Sequence, residues 1–398
     1  MNKNTIIIMA SSILLIIIIG LGLYFFYNIS PVTPTTNTDT GFPIGRPGGA
    51  GNATDINIGL PTDTNRGTAT STALLKQISK DPVSGSVIIN ATNSVQTLFT
   101  DRATSHTWRT NLDNVVLEKY TNTTIPKIYE STWSNKADFT VLRYLNGESS
   151  VIESFVGKVS SSTLIGKFLP QDVTQLALSP VSNKIFYLTN NTSGSSGFIT
   201  DSNLATKKLA ISSPAKEWIV TWPKEDTLTF TTKSSATADG YMFTLNTTTG
   251  NFDKVLGGLA GLTTLSNGDL SKTAYSESGG DSIRFYIYTH KDMKIKSISP
   301  GTLPEKCVWG NINKNIIYCA VPKNIFSFAY PDVWYQGLVS FNDEIWKINT
   351  ENNETTLLNN LSASFAGIDA INLQLDKNEE YLTFINKKDL QLWSLKIK

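Results

Sequence analysis

Short apolar strands alternating with polar turns recur along most of the chain, and the recurrence has a period. The unit is an apolar strand, a short polar turn, and a second strand ending in aromatic or β-branched residues. Leu176-Ala177-Leu178-Ser179-Pro180 leads to Ile185-Phe186-Tyr187, and Val220-Thr221-Trp222-Pro223 leads to Leu228-Thr229-Phe230. Further copies begin at Thr132-Trp133-Ser134, Leu265-Ser266-Asn267, Val308-Trp309-Gly310 and Leu373-Gln374-Leu375-Asp376, with a degenerate first copy at Ile88-Ile89-Asn90. The turn-initiating residues Asn90, Ser134, Ser179, Pro223, Ser266, Gly310 and Asp376 are separated by 44, 45, 44, 43, 44 and 66 residues. A period of about 44 residues holding four short strands is the length of one propeller blade. The pattern therefore predicts an all-β, seven-bladed β-propeller over residues 73–398.

The last copy ends early, with Leu390-Gln391-Leu392-Trp393-Ser394-Leu395 as its third strand. Leu74-Leu75-Lys76-Gln77-Ile78 stands before the first copy, where a preceding blade's outer strand belongs. This segment is predicted to complete the last blade, joining the two ends of the domain and removing an open seam.

Ahead of the repeats the pattern changes twice. From Thr5 to Tyr27 runs an uncharged Ile/Leu-rich segment ending Tyr24-Phe25-Phe26-Tyr27. At about 23 residues it is long enough to cross a hydrocarbon core of ~30 Å as a helix. Its length and the absence of a small-residue cleavage pattern after it favour a retained anchor over a cleaved signal peptide. Lys3 precedes the helix, which places the N-terminus in the cytoplasm and everything after Ser30 outside it. The division predicted is a cytoplasmic tip and transmembrane helix at 1–28, a stalk at 29–72 and the propeller at 73–398. The stalk is rich in Pro, Gly, Thr and Asn without apolar periodicity, a composition that cannot bury enough surface to offset ordering entropy. It is expected to be a disordered linker that lets the head search tens of ångströms from the membrane.

The anchor pattern resembles the WD40-like repeats of TolB-type propellers, nearest in Leu-Ser-Pro-Val-Ser-Asn-Lys-Ile-Phe-Tyr at 178–187. The resemblance covers roughly residues 74–398. It implies a protein-binding platform or an envelope-assembly factor, although some related propellers are enzymes and fold alone does not choose between them.

Composition narrows the functional classes. A formal net charge of +1 gives no long-range field to steer polyanions, so nucleic acid is excluded as an expected partner. Two cysteines and two histidines, Cys307, Cys319, His106 and His290, give no zinc-type spacing. No catalytic set, metal site or cofactor motif is read. Cys307 and Cys319 fall on the first two strands of the sixth blade and would lie nearly opposite each other. They are a candidate disulfide, with two buried thiols as the alternative.

The long 66-residue interval marks an insertion of about 20 residues between the second and third strands of the sixth blade. It carries six aromatics, Phe326, Phe328, Tyr330, Trp334, Tyr335 and Phe341. Loops on a rigid scaffold concentrate function, and aromatic clusters are typical of binding hot spots. The alternative is a lid whose aromatics pack onto the blade beneath. Trp133, Trp222 and Trp309, at equivalent repeat positions, read as packing between blades. The functional expectation is a membrane-tethered, extracytoplasmic module of the cell envelope that binds a protein or a polysaccharide. Its rival is a propeller hydrolase or lyase acting on envelope glycans. That rival requires two or more carboxylates close together at one end of the central channel.

Overall fold

The computed structural model describes residues 74–147, 151–160, 162–278, 283–326, 328–361 and 367–398. The expected membrane helix and the stalk lie outside them. Among the described residues no helix is long and apolar enough to cross a membrane.

Seven four-stranded antiparallel sheets follow one another along the chain. Their innermost strands are Val83–Ala91, Ile128–Trp133, Val173–Leu178, Trp218–Lys224, Thr263–Ser266, Cys307–Trp309 and Ala370–Leu375, which number blades 1 to 7. Each of the seven turn-initiating residues sits at or just beyond the end of an inner strand, so the 44-residue spacing reports one blade per repeat. The second strands are buried on both faces because sheets pack against sheets around the ring. Ile316–Pro322 and Tyr381–Asn386 are buried along their full length and accordingly read as nearly continuous apolar runs. Outer strands such as Lys208–Ser213 face solvent and carry more polar residues.

The seventh blade has the strand order predicted for it. Leu75–Gln77 pairs antiparallel with Leu392–Lys396, with Leu75 opposite Leu395 and Gln77 opposite Trp393. Behind this pairing Ile78, Tyr381, Ile385 and Leu392 of the closing blade pack with Val83, Phe99 and Leu112 of blade 1. Gln374 Nε2 donates to the Ser86 carbonyl at 2.8 Å across the same seam.

The seams between blades are fixed by tryptophans at the ends of inner strands. Trp133 Nε1 donates to Thr100 Oγ1 of blade 1 at 3.1 Å, and Trp309 Nε1 donates to the Leu265 carbonyl of blade 5 at 3.0 Å. Trp222 packs among Ala177 and Phe186 of blade 3. Buried indole N–H groups find acceptors, and here two of those acceptors belong to the neighbouring sheet. Asp376 has a different structural role. Its carboxylate accepts from the backbone N–H groups of Asn378, Glu380 and Tyr381 at 2.8, 2.6 and 2.7 Å, closing the turn that starts the second strand of blade 7.

Ring closure makes a stability prediction. Ile78 is 3% exposed in the closing seam, whereas Leu74, one residue before the strand, is 54% exposed. Ile78→Ala is expected to cost about 2–5 kcal/mol and Leu74→Ala no more than about 0.5 kcal/mol, compared by denaturant unfolding of the full chain.

Candidate functional site

In a ring of four-stranded meanders, the connections between second and third strands lie on one face, together with those from each outer strand to the next inner strand. The insertion of blade 6 is on this face, called here the insertion face. The turns from first to second strand lie on the opposite face.

The central channel is lined by the inner strands. Among the described residues these strands carry a single acidic side chain, Glu130. Arg143 Nη1 lies 2.8 Å from Glu130 Oε2, while Nη2 donates to the Val173 carbonyl at 2.7 Å. The guanidinium also sits 5.3 Å from the Tyr129 ring centroid. Burial pushes the Tyr129 hydroxyl up to about 12, so it stays protonated. The inner strands bulge near this end at blades 1, 2, 3 and 7. A polar recess of about 320 Å³, lined by Ser84, Ser86, Thr132, Asn372 and Gln374, opens between blades 7, 1 and 2. No acid–base pair of carboxylates is formed there. Among the described residues no group of three or more His, Cys, Asp or Glu side chains could hold a metal ion.

The insertion folds back onto the insertion face. Its core is a one-turn helix, α1 (Asp332–Tyr335). Tyr330, Trp334 and Phe341 are buried with Ile283 of blade 5 and Leu303 in the connection to blade 6. Asp332 Oδ2 accepts from the Ala236 N–H of blade 4 at 2.6 Å, and Lys387 Nζ of blade 7 donates to the Trp334 carbonyl at 2.8 Å. The segment therefore straps together parts of blades 4 to 7. Of the six aromatics, three face inward, Tyr335 is half-buried with its hydroxyl donating to Glu305, and Phe326 and Phe328 are 60% and 46% exposed. The lid alternative describes Tyr330, Trp334 and Phe341. Only the two phenylalanines offer a free aromatic surface.

Beneath the strap lies a charge cluster that sequence reading did not reveal. Lys306, Asp343 and Asp369 are each 0% exposed. Lys306 Nζ lies 2.8 Å from Asp343 Oδ2 and 2.5 Å from Asp369 Oδ1, and it donates to the Ala370 carbonyl at 2.9 Å. Asp369 Oδ2 accepts from the Trp334 indole N–H at 2.9 Å and from the Phe341 backbone N–H at 3.0 Å. The rings of Trp334 and Phe341 each lie 5.3 Å from Lys306 Nζ. Backbone and indole donors supply the second oxygen of Asp369, so the two buried carboxylates share one ammonium.

The strap leaves the other half of the face open. Between blades 1 and 2 lies a groove of about 1080 Å³ whose walls include Pro82, Ala103, Pro126, Tyr129, Leu145 and Ile152. Leu145 and Ile152 are register partners at the end of their strands and are 44% and 36% exposed. Asp81, Asp101, Arg102 and Lys127 also line the groove, two charges of each sign. Ile128 and Tyr129 line the groove, and the next residue, Glu130, lines the polar recess. The groove is assembled from connections of two blades, and no contiguous motif announced it.

Cys307 and Cys319 are register partners on the first two strands of blade 6, with Cα atoms 4.1 Å apart and a disulfide between them. The bond is buried in the core shared by blades 5 and 6.

Neither a protein-family model nor a curated protein matches the chain. Similar solved structures include an oligogalacturonate lyase in complex with manganese, with a TM-score of 0.54, 11% identity, and coverage of 81% of this chain and 98% of that one. The β-propeller domain of Myceliophteria thermophila Cps50 (Swd1) aligns with a TM-score of 0.52, 8% identity, and coverage of 81% and 100%. TolB from Acinetobacter baumannii aligns at 0.42 with 10% identity over 78% of each chain, a likeness too low to carry an argument. At these identities the first two establish the propeller fold and nothing about chemistry. The manganese of the lyase has no matching donor cluster among the residues described here.

The charge cluster generates a prediction about its central cation. Lys306→Met leaves two carboxylates buried without their counter-charge and is expected to cost about 3–5 kcal/mol. Lys323 lies 3.9 Å from Glu344 with both side chains partly exposed, and Lys323→Met should stay within about 1 kcal/mol. Urea unfolding of the two variants beside the parent measures the difference.

Proposed function

We propose that this chain is a membrane-tethered, extracytoplasmic binding module that holds a protein partner in the open half of its insertion face. The observation carrying the reading is the groove between blades 1 and 2. It is the largest concavity described above, it is walled mainly by apolar side chains, and the strap from blade 6 stops short of it. Its two acids and two bases sum to no net charge, which suits a neutral segment with aliphatic or proline side chains better than a polyanion. Exposed apolar patches rimmed by polar residues are the usual mark of an interaction surface. A polysaccharide partner is supported less well, because the exposed aromatics Phe326 and Phe328 belong to the insertion and not to the groove.

Placement outside the cytoplasm rests on two independent features. The uncharged run from Thr5 to Tyr27 has the length of a membrane span. The Cys307–Cys319 pair is in bonding register, and such bonds persist in oxidising compartments. The rival reading, a glycan hydrolase or lyase, needs paired carboxylates at the channel. The inner strands supply Glu130, already engaged by Arg143.

The test compares capture by the full chain in detergent with capture by three variants. Ile152→Asp and Tyr129→Ala are expected to lose, by about tenfold or more, a protein that the parent retains from solubilised envelope. Ile312→Asp, on the opposite face and 63% exposed, should retain it. Equal retention by all four proteins would remove the groove from the account. Glycan turnover by the parent would favour the enzyme reading instead.

A further inference from the structure

The cluster under the strap is unbalanced. It holds one ammonium and two carboxylates, all fully buried. Asp343 Oδ2 meets Lys306 and accepts from the Ala370 N–H at 2.6 Å, while its Oδ1 has no hydrogen-bond partner among the described residues. A buried, unpaired carboxylate oxygen is costly, and each such atom in a folded protein calls for an explanation. The insertion packs on this cluster, with Trp334 and Phe341 against Lys306 and Asp369, the two groups beside Asp343. Asp343 is also the first residue of the strand into which the insertion runs. The insertion and the unpaired carboxylate are therefore neighbours in the chain, and they share the contacts of Lys306 in space.

We propose that the insertion is a proton-coupled lid: its closure over Lys306, Asp343 and Asp369 favours a protonated Asp343, and loss of that proton favours its lifting from blades 4 to 7. The closed cluster carries one excess negative charge when Asp343 is ionised and none when it is protonated. Oδ2 continues to accept from Lys306 and Ala370 in either form, and Oδ1 is the oxygen free to take the proton. Burial, reinforced by the Asp369 charge and opposed by Lys306, pushes the Asp343 carboxyl up to about 6. Lifting the insertion readmits water and lets the carboxyl return toward its ordinary value of 3.8.

The sign follows from linkage. The closed form binds more protons than the open form between pH 4 and 6, so closure strengthens as pH falls through that range and weakens above it. Other charged groups face the cluster from each packed element. Lys387 of blade 7 sits 4.9 Å over the Trp334 ring, and burial near Lys306 lowers its own value. Lys323 and Glu344 flank the insertion on blade 6. Glu305, in the connection before blade 6, bonds Tyr335, and its carboxyl is also pushed up by burial. Glu305 acts in the same direction as Asp343, so the two must be separated by mutation. Asp332 is held by the Ala236 N–H at the far end of the strap.

Amide hydrogen exchange of Ala236 and residues 329–341 in the full chain tests the coupling, with rates corrected for the intrinsic pH dependence of exchange. The N–H groups of Phe341 and Ala236 donate across the contact, to Asp369 and Asp332, and report the closed strap. Protection is expected to fall about tenfold between pH 5 and pH 7.5 in the parent and in Glu305→Gln. In Asp343→Asn, whose residue 343 stays neutral, the change should shrink to the part that Glu305 supplies, and in Asp343→Asn combined with Glu305→Gln protection should be the same at both pH values. Equal protection at both pH values in the parent, or an undiminished change in Asp343→Asn, would overturn the proposal. If Asp343→Asn does not fold, infrared difference spectroscopy of Glu305→Gln, which keeps Asp343 and lacks the second buried carboxyl, decides. A buried protonated carboxyl band present at pH 5 and absent at pH 7.5 supports the lid, and its absence at both overturns it.

Discussion

Everything on the insertion face depends on three residues, Leu75–Gln77, pairing with the last strand of the chain. A ring of blades has no free sheet edge along its circumference only if its first and last members meet, and here a segment from before blade 1 supplies the outer strand of blade 7. The closure presses blade 7 against blade 1 through Ile78, Tyr381 and Leu392 and holds Gln374 against Ser86. On one side of that seam stands the wall of the open groove. On the other stand Asp369 and Lys387, which anchor the strap. Loosening the closure would disturb both halves of the face together.

The two halves differ in what water meets. Over blades 4 to 7 the insertion hides three aromatics and a charge cluster. Over blades 1 and 2 an apolar trough stays open, and a separate polar recess lies at the channel. A scaffold of this kind needs little from its channel, and the channel offers little chemistry: one acid, its guanidinium partner and a set of hydroxyl and amide side chains.

Much of the fold was legible because the information repeats. Seven turn anchors spaced by about one blade identify the architecture, and an early-ending last repeat with an orphan strand upstream identifies the closure. The tryptophans at repeat-equivalent positions were legible as packing for the same reason. The site was less so. Lys306 and Asp369 are 63 positions apart on different connections, and only the curvature of the ring brings them to 2.5 Å. The groove likewise draws its wall from connections of two blades. In the insertion the aromatic content was plain, but an irregular segment has no period from which to tell inward from outward side chains. Trp334 and Phe341 turn in toward the cluster while Phe326 and Phe328 turn out.

Under the proposed function, partners meet the open half of the insertion face. A photo-crosslinking residue placed in turn at Leu145, Ile152, Met293 and Ile312 of the full chain in its own membranes tests this most directly. All four positions are solvent-exposed, and the last two lie on turns of the opposite face. A common protein adduct is expected from Leu145 and Ile152 and none from Met293 or Ile312. Adducts confined to Met293 and Ile312 would contradict the proposed function.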